Sequence, residues 1–532
     1  MIIEDQSEVI EFLSDPETYS QSEEIVQKIE THGAIVFLAG DRAYKLKRAV
    51  RFEYMDFSTR DRRRTFCEAE IRVNARTAPA IYLGVLAIIR SSDGSLGIVA
   101  PENIPVGADV LDWVVKMVRF EQTCLFDRMA EQGTLTENVM TVLADRIALF
   151  HSNAEVRADM GGLQAHRAVI ETNHAQFVHF YDALFDKQEA QLITDAAFAE
   201  LDQCGDEIER RRAAGLVRHC HGDMHLQNIF LWEGLPTLFD AIEFDEQIAC
   251  VDVLYDLAFL LMDLNERGMK GFANLIFNRY VLSASVTEPQ RINGLKCLPL
   301  FLSCRAGVRA HVSAATAETH SDEGRRKEYE TKAKTYLASA ARYLEPRCPR
   351  AVVIGGLSGT GKSALSAELS PELGPAPGAL WIRSDSLRKW SMGEEPLQKL
   401  GPEAYSSEVN ERVYRIMLEL MRRALQAGHS VIVDAVFARE AERVRIEREV
   451  RSLGVIFTGL WLEAPWNEME RRIQGRREDS SDATVDILKR QLEYDLGAVD
   501  WVRIDASGSQ ERTLSLVQRL LQERDQLDFP AA

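Results

Sequence analysis

Two groups of polar residues in this 532-residue chain have the types and spacing that phosphoryl transfer needs. The first is Gly356-Leu357-Ser358-Gly359-Thr360-Gly361-Lys362-Ser363. It follows the apolar run Ala351-Val352-Val353-Ile354 and precedes a stretch, 364–373, that reads as helix. Strand, G-x-x-x-x-G-K-S and helix is the order a phosphate-binding loop requires. The glycines let successive N–H groups turn toward phosphate oxygens, and the helix adds the positive end of its dipole. Lys362 is expected to reach the β- and γ-phosphates of ATP, and the Ser363 hydroxyl to hold Mg²⁺. The second group is His221-Gly222-Asp223-Met224-His225-Leu226-Gln227-Asn228, with Asp240 at the end of a later apolar strand. Transfer to a hydroxyl needs a carboxylate that takes the proton and oxygen ligands for the metal. Asp223 fits the base, and Asn228 and Asp240 fit the ligands. Lys45, on a strand after a short hairpin turn, is expected on the α- and β-phosphates, steadied by a Glu from the next helix.

The H-G-D-x-H-x-x-N stretch resembles the loop of the aminoglycoside phosphotransferase-like kinases, relatives of choline kinases with a protein-kinase-like fold. The resemblance implies the same roles for Asp223, Asn228 and Asp240, and it matches Lys45 to the family's third-strand lysine. Glu70 is then its expected partner, with Glu68 as the alternative. Asp252-Val253-Leu254-Tyr255-Asp256-Leu257-Ala258 is similar to the D-x-x-x-D-L-A start of a structural helix in that family. The likeness covers about residues 30–345. The turn 39–42 lacks G-x-G-x-x-G, and Glu243 or Asp245, following Asp240, is a further candidate to approach the metal site.

After the phosphate loop, the strand 379–382 ends in Arg383-Ser384-Asp385-Ser386-Leu387-Arg388. Strand C-termini face the ligand crevice in doubly wound sheets. Asp385 is therefore expected to accept the acceptor's proton, and Arg388 to steady the acceptor or the γ-phosphate. Asp434, ending the strand 430–435, is a candidate for Mg²⁺-bound water or for positioning substrate; a helix N-cap is the plain alternative for either aspartate. The helix 466–478 brings Arg471, Arg472, Arg476 and Arg477 ahead of Ser481-Asp482-Ala483. Arg472 and Arg476 are taken as phosphate contacts, and a solvated basic face accounts for the others. Residues 350–527 resemble the small P-loop kinases of the gluconate kinase, polynucleotide kinase and zeta-toxin type, through D-x-x-R and R-x-x-x-R followed by S-D-A. The order of the halves resembles the bacterial bifunctional aminoglycoside phosphotransferase-like/ATP-binding proteins, a name that records homology and not an antibiotic substrate.

The elements that must position these residues read as two domains, 1–347 and 348–532, joined at Glu345-Pro346-Arg347-Cys348-Pro349. The fold class expected is α/β and α+β: a protein-kinase-like N-terminal domain and a C-terminal P-loop domain on a doubly wound parallel sheet. The spacing of Val9, Ile10, Phe12, Leu13, Ile25, Val26 and Ile29 predicts amphipathic helix over 1–30. Strands follow at 34–38 and 43–47, a helix at 58–76, and strands at 81–89 and 96–99. Helical patterns run from 109 to 216 and from 251 to 344, and the last strand is 501–505. Arg305 and Arg309 share one helical face and are candidates for an anion or for ordinary ion pairs. A zinc site at His219, His221 and His225 is disfavoured, since no further ligands cluster nearby.

The composition, 46% hydrophobic and 27% charged, is that of a globular chain. No apolar run approaches a membrane span, and the acidic N-terminus lacks a secretory n-region. Eight scattered cysteines fit reduced thiols and a cytoplasmic location. A net charge of −19 argues against a general nucleic-acid or membrane-surface partner. The imbalance is uneven, with 25 Lys+Arg against 29 Asp+Glu from Arg350 onward and 38 against 53 before it. The function expected is Mg²⁺-ATP-dependent phosphotransfer by two kinase modules to hydroxyls of small metabolites of the sugar, aminoglycoside-like or nucleoside class. The alternatives are a nucleotide-binding regulator or toxin-like effector kinase, and polynucleotide 5′-kinase activity in the C-terminal half. The acceptors and the oligomeric state stay open.

Overall fold

The structure, a computed structural model, describes residues 4–19, 25–52, 55–181, 183–395, 398–475 and 481–528. The chain divides into two compact units, one of residues 1–165 and 211–260, the other of 166–210 and 261–532.

The first unit is built on a six-stranded antiparallel sheet. Its strands are β1 (Gln27–Glu30), β2 (Ala34–Ala39), β3 (Arg42–Lys47), β4 (Tyr82–Arg90), β5 (Leu96–Val99) and β6 (Asp109–Val118), in the order β1-β2-β3-β6-β4-β5. Side chains alternate across a strand, and β3 shows what that does here. Leu46 joins Ile35, Phe37, Ile88 and Val114 against Val9 and Leu13 of the helix Ser7–Ser14. Ala43 lies on the other face, in a cluster with Cys67 of the helix Arg60–Asn74, and this is the face that carries Lys45 and Lys47. The two lysines enter one face of a mostly apolar sheet, and Asp112 of β6 is buried as well, paired with Arg63 at 2.8 Å and accepting from Gln6 at 2.7 Å. Two two-stranded antiparallel sheets belong to the same unit, the hairpin of β8 (Ile229–Trp232) with β9 (Leu235–Leu238), and β7 (Val217–His219) paired with the distant β10 (Cys250–Asp252).

Two stretches differ from the helical expectation. The helix at the start ends at Ser14, and Gln27–Glu30 is an edge strand paired with β2, exposed along its length. The apolar spacing of Ile25, Val26 and Ile29 fits a helix, yet backbone pairing with β2 decides the outcome. Residues 109–118 form β6, not helix. A strand covered on both faces loses its two-residue alternation and reads ambiguously. A consequence concerns the turns: β2–β3 is the second hairpin, and the turn 31–33 joins β1 to β2.

The second unit contains a five-stranded, all-parallel sheet with order β12-β13-β11-β14-β15. The strands are β11 (Arg350–Gly355), β12 (Leu380–Arg383), β13 (Val431–Asp434), β14 (Ile456–Glu463) and β15 (Val502–Asp505). β14 had no counterpart in the sequence reading; its IFTGLWLE run carries no motif of its own, although it pairs directly with β11. Val352, Ile354, Ile432, Leu460 and Ile504 form the core with Leu365 and Leu369 of the helix Lys362–Leu369.

The packing units do not divide at 347/348. The helix Lys270–Ser285 lies against β12, the edge of the parallel sheet, and closes its open hydrogen-bonding side. Asn274 Nδ2 donates to the carbonyls of Pro377 (2.9 Å) and Ala379 (3.0 Å), and the Trp381 N–H donates to Asn278 Oδ1 at 2.6 Å. Both asparagines are buried. No helix among the described residues is long and apolar enough to cross a membrane. Asn278→Ala strands the Trp381 N–H, and thermal and urea unfolding should show a loss of about 1–3 kcal/mol.

Candidate active sites

In the first unit, chemistry converges under β3. The Lys45 ammonium lies 2.8 Å from Glu70 Oε1 and 2.6 Å from Asp240 Oδ1. Lys47, two residues on and on the same face, donates to Glu70 Oε2 at 2.6 Å and to the Glu243 carboxylate. Each oxygen of Glu70 therefore holds one lysine. Glu68 points outward and pairs with Arg64, so Glu70 is the partner that meets Lys45. Burial works against the charge on Lys45, but Asp240 and Glu70 outweigh it and hold its pKa well above the ordinary lysine value. Burial opposes ionisation of Glu70 too, and the two lysines still draw its pKa down. Asp240 sits at φ 60°, in the left-handed region; its N–H donates to the Tyr82 hydroxyl (3.1 Å), and the Ala241 N–H to Asn74 Oδ1 (2.9 Å). With its backbone so held, the Asp240 side chain is 41% exposed, while Glu70 on the other side of Lys45 is sealed at 0%.

The loop after β7 is held from below by Asp256. Its Oδ1 accepts from the Gly222 N–H (2.9 Å), and its Oδ2 from the His221 N–H (3.2 Å) and His151 Nε2 (3.1 Å). Burial lowers the His221 pKa, favouring the neutral ring. With Nε2–H donated to the Phe239 carbonyl (2.8 Å), Nδ1 is left to accept from the Asp223 N–H (3.3 Å). Asn228 Nδ2 donates to the backbone oxygen and to Oδ2 of Asp223, both at 2.9 Å. That fixes Asp223 and leaves the Asn228 carbonyl oxygen as the atom a cation would use. His225 Nε2 lies 3.3 Å from Asp223 Oδ2. Among the described residues, the metal-type grouping is His151, Cys220 and Asp256, and it includes none of His219, His221 or His225. Its Asp256 oxygens are already occupied by loop and histidine donors.

In the second unit the phosphate loop leaves the C-terminal end of β11. Gly359 adopts φ +86°, and a Cβ there would lie 2.6 Å from the Met469 carbonyl oxygen. Gly356 and Gly361 also adopt positive φ, and Gly361 caps the helix Lys362–Leu369. Lys362 Nζ and Thr360 Oγ1 both donate to the Leu357 carbonyl, at 3.0 and 2.8 Å. The Ser358 N–H donates to Gln491 Oε1 at 2.8 Å, a support the sequence reading missed. Asp434 ends β13 in register with Ile354 of β11 and Arg383 of β12. It is 2% exposed, and its Oδ2 has no hydrogen-bond partner. Burial raises its pKa against the pull of Lys362 and Arg383, and Ser363 hydrogen-bonds it. Asp385 lies in the first turn of the helix Ser384–Ser391, whose cap is Arg383, so Asp385 is not an N-cap.

A cavity of about 1260 Å³ opens above these residues, lined by the loop, Asp385, Arg388, Tyr405, Asp434 and Arg472 among others. Arg388 is buried, donates to the Ala404 carbonyl (2.7 Å) and stacks over the Tyr405 ring. Tyr405 in turn donates to Asp482 Oδ2 at 2.6 Å, and the buried Lys389 bonds Oδ1 at 3.1 Å. Arg472 braces the loop from outside: Nη1 donates to the Thr360 carbonyl (3.2 Å) and Nη2 to Ala506 (2.9 Å) and Gly508 (3.1 Å). Its neighbour Arg471 is exposed and paired with Glu468. Arg476 and Arg477 lie outside the described residues. Arg305 is buried, and Arg309 stacks over the Tyr336 ring.

The family described as "AAA domain" matches residues 352–494. An uncharacterized protein of Mycobacterium tuberculosis (strain ATCC 25618 / H37Rv) is 28% identical over 506 residues, 91% of this chain and 93% of the relative. Similar solved structures include a choline kinase from Cryptosporidium parvum Iowa II (14% identity, TM-score 0.38, 63% of this chain and 96% of that one). A gluconokinase from Sinorhizobium meliloti 1021 is also similar (20% identity, TM-score 0.25, 35% of this chain and 100% of that one). Residues 352–494 lie in the region of the five-stranded parallel sheet that the phosphate loop enters, and the region before it is built on the six-stranded antiparallel sheet with helices. Gly359→Ala must displace the Met469 backbone, and calorimetry should find nucleotide binding at this loop weakened about tenfold or more.

Proposed function

We propose that this chain is a Mg²⁺-ATP-dependent phosphotransferase with two chemically separate kinase sites, each serving a hydroxyl of a small molecule. The observation that carries the reading is the meeting of Lys45, Glu70 and Asp240 within 2.8 Å, from three distant parts of the sequence. Phosphoryl transfer asks for little covalent chemistry from a protein and much placement of charge, and both sites are built for placement.

In the first unit Asp223, held by Asn228, accepts the hydroxyl proton of the acceptor. Lys45, oriented by Glu70, binds the α- and β-phosphates, and Asn228 and Asp240 hold Mg²⁺. In the second unit the backbone of residues 356–361 cradles the phosphates, with Lys362 on the β- and γ-phosphates. The orphaned buried oxygen of Asp434 beside the Ser363 hydroxyl fits a cation. When bound, Mg²⁺ neutralises charge on the phosphate oxygens. Asp385 takes the acceptor proton, Arg388 holds the Tyr405 loop at the acceptor side, and Arg472 fixes the phosphate loop. The cavity exceeds the roughly 300–1,000 Å³ of ordinary ligand pockets, leaving room for nucleotide and acceptor together. The modules are proposed to meet in sequence at 347/348, between the helix Glu323–Tyr343 and β11, with the helix Lys270–Ser285 of the first packing on the sheet of the second. Eight scattered cysteines support a cytoplasmic setting.

The test follows γ-labelled ATP incubated with Mg²⁺, deproteinised bacterial metabolites and wild-type, Asp223→Asn or Lys362→Ala protein. A labelled metabolite that disappears in one variant only, with a drop of about a hundredfold or more, assigns that reaction to one unit. Label found solely as free phosphate or on the protein overturns the reading in favour of a nucleotide-dependent regulator.

A further inference from the structure

The second lysine of β3 has no place in the chemistry described so far, and its surroundings are unusual. Lys47 is 1% exposed, so its ammonium cannot touch a nucleotide in the cleft. It lies 4.8 Å over the Phe57 ring and donates to Glu70 at 2.6 Å and to Glu243. A sealed ammonium is tolerated when it is fully partnered, and here the partners come from two different elements. Glu70 belongs to the helix Arg60–Asn74, and Glu243 follows Asp240 by three residues on the segment that carries the metal candidate. Lys47 therefore ties β3, that helix and that segment at one point.

The arrangement matters because the Lys45–Asp240 contact of 2.6 Å competes with function. Phosphates and cation claim the same two groups, so the pair must open when the site fills. Glu70 then loses no hold on β3, since its second oxygen stays on Lys47. The 240–243 segment likewise stays registered through Glu243 while Asp240 changes partner. We propose that Lys47 is a positioning residue of the N-terminal phosphotransfer site, fixing Glu70 and the Asp240 segment to β3 so that Lys45 and the cation ligand are in place before nucleotide and metal arrive. The inference rests on the reading of this cleft as a nucleotide site.

The experiment uses the full chain carrying Lys362→Ala, which silences the second site, and measures ATP binding by calorimetry with and without Mg²⁺, alongside thermal melting. Lys47→Met and Glu243→Gln are compared with their parent. The expected result is a Mg²⁺-dependent gain in ATP affinity reduced about tenfold or more in both variants, the size typical of lost support behind a metal ligand. Metal-free ATP binding should change less, because Lys45 remains. Glu243→Gln keeps the volume and removes the charge, so it stands in if Lys47→Met fails to fold. A folded Glu243→Gln or Lys47→Met protein with the parent's Mg²⁺ gain overturns the proposal. A parent that binds no ATP in either condition overturns the proposal together with the nucleotide-site reading beneath it, which separates the two failures.

Discussion

The N-terminal half depends on one constraint: Glu70 is fully buried, and its charge must be matched inside the protein. Two lysines do this, one on each oxygen. At an effective dielectric near 20, unit charges 2.8 Å apart attract by roughly 6 kcal/mol, which offsets a desolvation cost of several kcal/mol per ion. The match works only if β3 and the helix Arg60–Asn74 lie at one spacing. Removing one partner of such a set leaves a stranded charge and costs roughly 3–5 kcal/mol. The network thus specifies geometry more than it adds stability. Asp240, exposed at its upper edge, is the member able to change partners.

The C-terminal half meets the same chemical demand with different material. There the groups expected to meet phosphate are backbone N–H groups, already directed by positive-φ glycines and the start of a helix. Side chains brace that loop, Gln491 on Ser358 and Arg472 on Thr360, while Lys362 is the side chain proposed on the phosphates. Asp434 is a buried carboxylate with an unpaired oxygen at the end of β13. One half supports its site with a buried ion network, the other with a braced backbone loop.

Much of this could be read from the sequence because phosphate chemistry leaves compact signatures. The loop 356–363 and the run from His221 to Asn228 are local, so spacing alone singles them out. Lys47 escaped notice because a second lysine on a strand reads as a solvated residue. Its burial comes from Glu243, 196 positions away. Gln491 is likewise 133 positions from the loop it supports. The place of Arg388 after β12 marks it in the sequence, but nothing local shows that its guanidinium is engaged by Ala404 and Tyr405. The misread elements share a cause. The edge strand Gln27–Glu30 and the doubly covered β6 have burial patterns set by neighbours, so neither shows a clean two-residue alternation.

In the proposed function one chain carries two nucleotide sites that work separately. The decisive measurement is the stoichiometry of a non-hydrolysable ATP analogue with Mg²⁺, by calorimetry on wild type, Lys45→Met, Lys362→Ala and the double variant. Two analogues are expected per wild-type chain, one in each single variant and none in the double. A single analogue on the wild-type chain, or loss of both on one substitution, overturns the two-site reading.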